Sequence, residues 1–162
     1  MTHQQKGDNR MKKKTAVLFV VVLTLSVFVL PAYAARPLDL HIEVAENINT
    51  SGESFAASGS AVDAGLVCAT GNVYDASYSI SGPAGGSIRI IRVLKHFVCD
   101  GGGTFDLMML VHLDLNTYYT TARWSVAGST GDYAGLHGAG SLLGTPIVPG
   151  ESVMDVYDGM VH

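Results

Sequence analysis

The chain has 162 residues, 48% of them hydrophobic, and a formal charge of −4. That charge is unevenly spread: residues 35–162 hold five basic side chains (Arg36, Arg89, Arg92, Lys95 and Arg123) against thirteen acidic ones, or −8. An acidic body repels phosphate backbones, whose binding depends on Lys and Arg neutralising charge, so nucleic acid is excluded as an expected partner.

In chain order, the first element is an export signal. Lys12, Lys13 and Lys14 end a basic lead, Thr15 to Leu30 run without a charge, and Pro31-Ala32-Tyr33-Ala34 closes with an A-x-A pattern. The apolar run is short for a bilayer span of about 20 residues. The expectation is a cleavable signal peptide over 1–34 and one domain over 35–162, secreted or periplasmic, with no membrane span after cleavage. An uncleaved signal anchor is the alternative. No cysteine follows the cleavage site to take a lipid.

The rest of the chain alternates with a period of two. Leu38, Leu40, Ile42 and Val44 alternate with Asp39, His41 and Glu43, as in a half-buried strand. Phe105, Leu107, Met109, Val111 and Leu113 form a second apolar face, and Thr120, Ala122, Trp124 and Val126 a third. Noisier strands are expected at Ser54–Ala61, Leu66–Val73, Ile88–Val98, Gly138–Leu143 and Val153–Val161. Turn signals separate them, among them Ser81-Gly82-Pro83-Ala84-Gly85-Gly86 and Asp100-Gly101-Gly102-Gly103. Eighteen of the nineteen glycines fall in 35–162, as suits a tightly curved sheet. The fold class is all-β: one antiparallel eight-stranded β-barrel, preferred to a sandwich because closure removes exposed edges.

Cys68 and Cys99 are the only cysteines. In an oxidising compartment the expectation is a disulfide, stabilising by roughly 3.5–4 kcal/mol for a loop of about 31 residues. A reactive thiol would call for a C-x-x-C or a neighbouring base, and neither is visible.

The glycine-rich run Trp124 to Gly140 lacks the Lys-Ser/Thr of a P-loop and the G-x-G-x-x-G order. It reads as a strand, a corner and another strand, with Tyr133 and Leu136 turned inward. Within it, Gly128-Ser129-Thr130-Gly131-Asp132-Tyr133-Ala134-Gly135-Leu136-His137-Gly138 resembles the G-G-T-G-x-Y-x-G-L-x-G segment of small secreted bacterial proteins. Those proteins are similar to the allene oxide cyclase and dirigent barrel superfamily. Phe97-Val-Cys-Asp-Gly-Gly-Gly-Thr-Phe105 and Trp124 fit the same pattern, so the likeness covers about a third of the chain, Phe97 to Gly144. It implies an eight-stranded antiparallel barrel. It carries no mechanism across, because the superfamily's pocket residues lie outside this turn, and Ser129 replaces its second glycine.

No metal or cofactor is expected. His41, His96, His112, His137 and His162 are scattered. His112 and Asp114 share a strand face, but a site needs a third ligand from elsewhere. No G-x-S-x-G elbow is present. One constellation is a candidate ligand site: Asp106, His112 and Asp114 on one strand face, with Tyr119 and Arg123 on a face of the next. Pointing into a barrel, they would line one cavity. On the alternative reading that face is solvated, and Phe105, Leu107 and Trp124 fill the interior.

The leading expectation is therefore a binding or accessory barrel for a small apolar or phenolic ligand. The alternatives are an isomerase or cyclase acting on an oxidised lipid or phenolic compound, and a structural surface protein without a pocket. Oligomerisation stays open.

Overall fold

The computed structural model describes residues 36–50 and 52–162. The expected signal peptide, 1–34, lies outside the described residues. Eight strands follow: β1 (Leu38–Asn47), β2 (Glu53–Ser58), β3 (Thr70–Ser81), β4 (Ile88–Cys99), β5 (Thr104–Asp114), β6 (Thr120–Thr130), β7 (Gly138–Val148) and β8 (Ser152–Val161). Each pairs antiparallel with its neighbour in sequence, and β8 returns to β1 from Leu38↔Val161 to Asn47↔Ser152, closing the barrel. Closure gives every strand a partner on both sides, although β2 covers β3 only as far as Val73, so the stretch of β3 beyond it is paired with β4 alone.

The connections divide between the two ends. The β1–β2, β3–β4, β5–β6 and β7–β8 turns crowd one end, called here the hairpin end. The opposite end carries the longer β2–β3 connection. There the expected strand at Ser54–Ala61 stops at Ser58, because Gly59 takes φ +107° and Ser60–Asp63 winds into a short helix, α1. The expected strand at Leu66–Val73 likewise begins only at Thr70. Short apolar runs do not distinguish a strand from a plug. Ala61 and Val67 are buried and close this end together with Leu136 from the β6–β7 corner. A disulfide between Cys68 and Cys99, with Cα atoms 5.8 Å apart, ties the α1 connection to the end of β4.

Alternation explains the core. Leu40, Ile42 and Val44 of β1, Val93 and Phe97 of β4, and Phe105, Leu107, Met109 and Val111 of β5 are all buried. Near the plugged end the Phe97 and Phe105 rings stack at 4.7 Å, and Phe55 meets both edge-on. Such pairs add about 0.5–1.5 kcal/mol beyond the area they bury. Trp124 lies flat against Gly140 and Gly159, where any Cβ would collide with its ring, and its indole N–H donates to the Ser141 carbonyl at 3.0 Å. Among the described residues no helix is long and apolar enough to cross a membrane.

Candidate functional site

The same alternation that buries Val93, Phe97 and Cys99 also turns Lys95 inward, leaving it 6% exposed. Four other strands bring polar groups to the same level. Asp75 on β3 is the direct partner of Lys95, and Glu46 stands two residues beyond the buried Val44 on β1. Glu53 on β2 faces Val73 across the ladder. Asp155 and Tyr157 share the inward face of β8 with Val161, at 5% and 0% exposure. These groups lie inside the barrel toward the hairpin end.

The contacts are specific. The Lys95 ammonium donates to the Glu46 carboxylate and to Asp75 Oδ1 at 2.7 Å. Thr120 Oγ1 stands 3.5 Å from Asp155 Oδ1. Gly144 opposes Asp155 on β7, and a Cβ there would collide with the Asp155 and Thr120 side chains. The Tyr157 hydroxyl is fully buried without a hydrogen-bond partner. Asp155 is the polar group beside it, and the hydroxyl stabilises that carboxylate.

Burial dominates the electrostatics. Desolvation, reinforced by Glu53 and Asp155, pushes the Asp75 carboxyl up to about 6. Desolvation also raises Asp155 to about 6, against the opposing pull of Lys95, Thr120 and Tyr157. It lowers Lys95 to about 8, with Asp155 working the other way, and it drives the Tyr157 phenol well above its ordinary value. Groups moved this far from their solution behaviour, in one enclosed place, mark a candidate site. No group of three or more His, Cys, Asp or Glu among the described residues is arranged to hold a metal ion.

The five residues expected from sequence stand elsewhere. Asp106, His112 and Asp114 do share one face of β5, but it is the outer face, since Phe105, Leu107, Met109 and Val111 occupy the inner one. Arg123 is exposed and opposite Leu110 on the outside, and Tyr119 is 46% exposed before the start of β6. The expectation that they line one cavity is corrected: parity places them outside the barrel, His112, Tyr119 and Arg123 exposed and Asp106 and Asp114 half-buried. Asp106 is engaged by His96 Nδ1 at 2.5 Å, and the Asp114 N–H donates to the Tyr119 carbonyl at 3.0 Å.

The interior residues had a signal of their own. Lys95 interrupts the apolar series Val93, Phe97, Cys99, while Asp155 and Tyr157 sit in step with Val153 and Val161. A charge at an inward position of a strand is the informative anomaly.

Comparison with protein-family models, with curated proteins and with solved structures finds no match for this chain.

Proposed function

We propose that this barrel binds a small molecule outside the cytoplasm, at the polar level of its interior near the hairpin end. The observation that carries the reading is the convergence of the buried Lys95, Asp155 and Tyr157 with Asp75, Glu46 and Glu53 at one level of a barrel whose remaining core is apolar. A barrel that needed only to fold would fill this level with aliphatic side chains. A few convergent polar groups in apolar surroundings are what a ligand pocket consists of. An eight-stranded barrel is wide enough to hold one small ligand. The disulfide and the basic-then-apolar leader fit an oxidising compartment. The resemblance of Phe97–Gly144 to secreted bacterial proteins akin to the allene oxide cyclase and dirigent barrels is in keeping with a ligand-holding barrel.

The test is to purify the protein without denaturation, extract it and analyse the extract by mass spectrometry. A stoichiometric small molecule supports the reading. A crystal of never-denatured protein with a dry interior filled by side chains alone contradicts it.

A further inference from the structure

The wall above the charged level is apolar, and its shape comes from one irregularity. The β3–β4 ladder shifts register between Asp75 and Ser77, so one extra residue, Ala76, interrupts the alternation. Unbroken alternation from Asp75 onward would point Tyr78 and Ile80 outward. With the bulge, Tyr78 pairs with the buried Val93 and Ile80 with Ile91, which in turn faces Val111, so both side chains continue the inner surface. Bulges often re-aim side chains in this way beside functional sites. Because β2 ends its pairing with β3 at Val73, this stretch of inner surface is uncovered, and Tyr78 and Ile80 are 66% and 60% exposed.

The polar level beneath has a surplus of acceptors. Glu46, Glu53, Asp75 and Asp155 are four carboxylates facing one ammonium, Lys95. Its N–H groups are already committed to Glu46 and Asp75. Glu53 takes the Thr50 hydroxyl at 2.6 Å, and Asp155 has the long contact to Thr120, the neighbouring Tyr157 hydroxyl and the more distant Lys95 charge. Arg89, the other cation on the inner face of this hairpin, is turned away, donating to the carbonyls of Pro83, Gly86 and Ile88. The fully buried Tyr157 hydroxyl, without a hydrogen-bond partner of good geometry, borders the same level beside Asp155.

We propose that the ligand is a small amphipathic ammonium compound, its charged nitrogen received by Asp75 and Asp155 and its apolar body lying on Tyr78, Ile80 and Ile91. This rests on the ligand-binding reading above and names the chemistry of that same site. An ammonium adds N–H donors and positive charge at a level where one lysine serves four carboxylates. The affinity falls on acidification. Asp75 and Asp155 must be ionised to attract a cation, and both take up protons near pH 6. Lys95 stays charged across that window, and Glu46, Glu53, Thr120 and Tyr157 are the remaining groups facing the nitrogen.

The experiment is calorimetric titration of never-denatured protein with three isosteric probes: 4-phenylbutylammonium, 4-phenylbutanol and 4-phenylbutyrate. The proposal expects the ammonium to bind one per chain and the other two at least tenfold more weakly. Moving from pH 7.5 to pH 5, or making Asp75→Asn, should weaken the ammonium at least fivefold. Tyr78→Ser should weaken it also, and Glu43→Gln on the outer wall should not. If Asp75→Asn fails to fold, the pH series and Tyr78→Ser decide. Equal binding of all three probes overturns the ammonium assignment while sustaining a ligand-binding barrel. Tighter binding of the carboxylate, or an ammonium affinity indifferent to pH and to both variants, likewise overturns the assignment alone. Failure of every probe at millimolar concentration overturns it too, and the mass-spectrometric extract then judges the binding reading separately.

Discussion

Lys95, Asp75 and Asp155 carry ionisable groups out of water, and the fold's stability responds to pH accordingly. The folded chain holds protons on Asp75 and Asp155 up to about pH 6, against an ordinary value of 3.8. Their contribution is therefore fully present below about pH 4 and lost as pH rises through 6. Lys95 acts oppositely: its folded value of about 8 lies below 10.5, so its share of stability recovers only as pH climbs above 8. Asp75, with a side chain 40% exposed, contributes less than its displacement implies because water screens it. The melting temperature should be higher at pH 5 than at pH 7, by about 3–8 °C for a net gain of roughly 1–2 kcal/mol. Thermal unfolding followed by circular dichroism checks this; a fall on acidification contradicts it.

Two positions in the barrel wall give sharper stability tests. Trp124→Ala removes the largest core side chain from its bed on Gly140 and Gly159 and should cost about 3–5 kcal/mol in urea denaturation. Gly144→Ala drives a methyl into Asp155 and Thr120, and should both destabilise the barrel and displace the Asp155 titration seen by NMR. The residue scale is also where sequence reasoning goes astray. Asp106, His112 and Arg123 stand out as a group of recognisable chemistry, whereas Lys95 looks like one charge in a noisy strand. The parity of Phe105 to Val111 already assigns the first set to the outside.

At the scale of elements, β1, β5 and β6 are legible because one clean face alternates with a polar one. The boundaries of β2 and β3 are not: Gly59 and the run Leu66-Val67-Cys68 form a plug whose burial is set by the barrel end they cap. The bulge at Ala76 leaves no trace in composition, although it decides where Tyr78 and Ile80 point. A small side chain in a run of serines and tyrosines gives the alternation no visible break. The plug depends on its cross-link. The Cys68→Ser/Cys99→Ser double variant should lose about 2–5 kcal/mol in chemical denaturation, and unchanged stability would mean that α1 and its loop hold themselves.

At the scale of the molecule, the closed meander sorts chemistry by position. One end is sealed by α1, a disulfide and three phenylalanine rings. Toward the hairpin end four carboxylates gather around the single ammonium of Lys95, beneath an apolar wall. All-β class and strand number follow from period two and glycine spacing. That the interior is charged at one level follows only from closure, which decides which parity is inside. The most direct measurement of that claim is an NMR pH titration of the Lys95 ε-carbon and the Asp155 carboxyl carbon. Midpoints near 8 and near 6 are the expected result. Midpoints close to 10.5 and 3.8, the values of freely solvated groups, would contradict it.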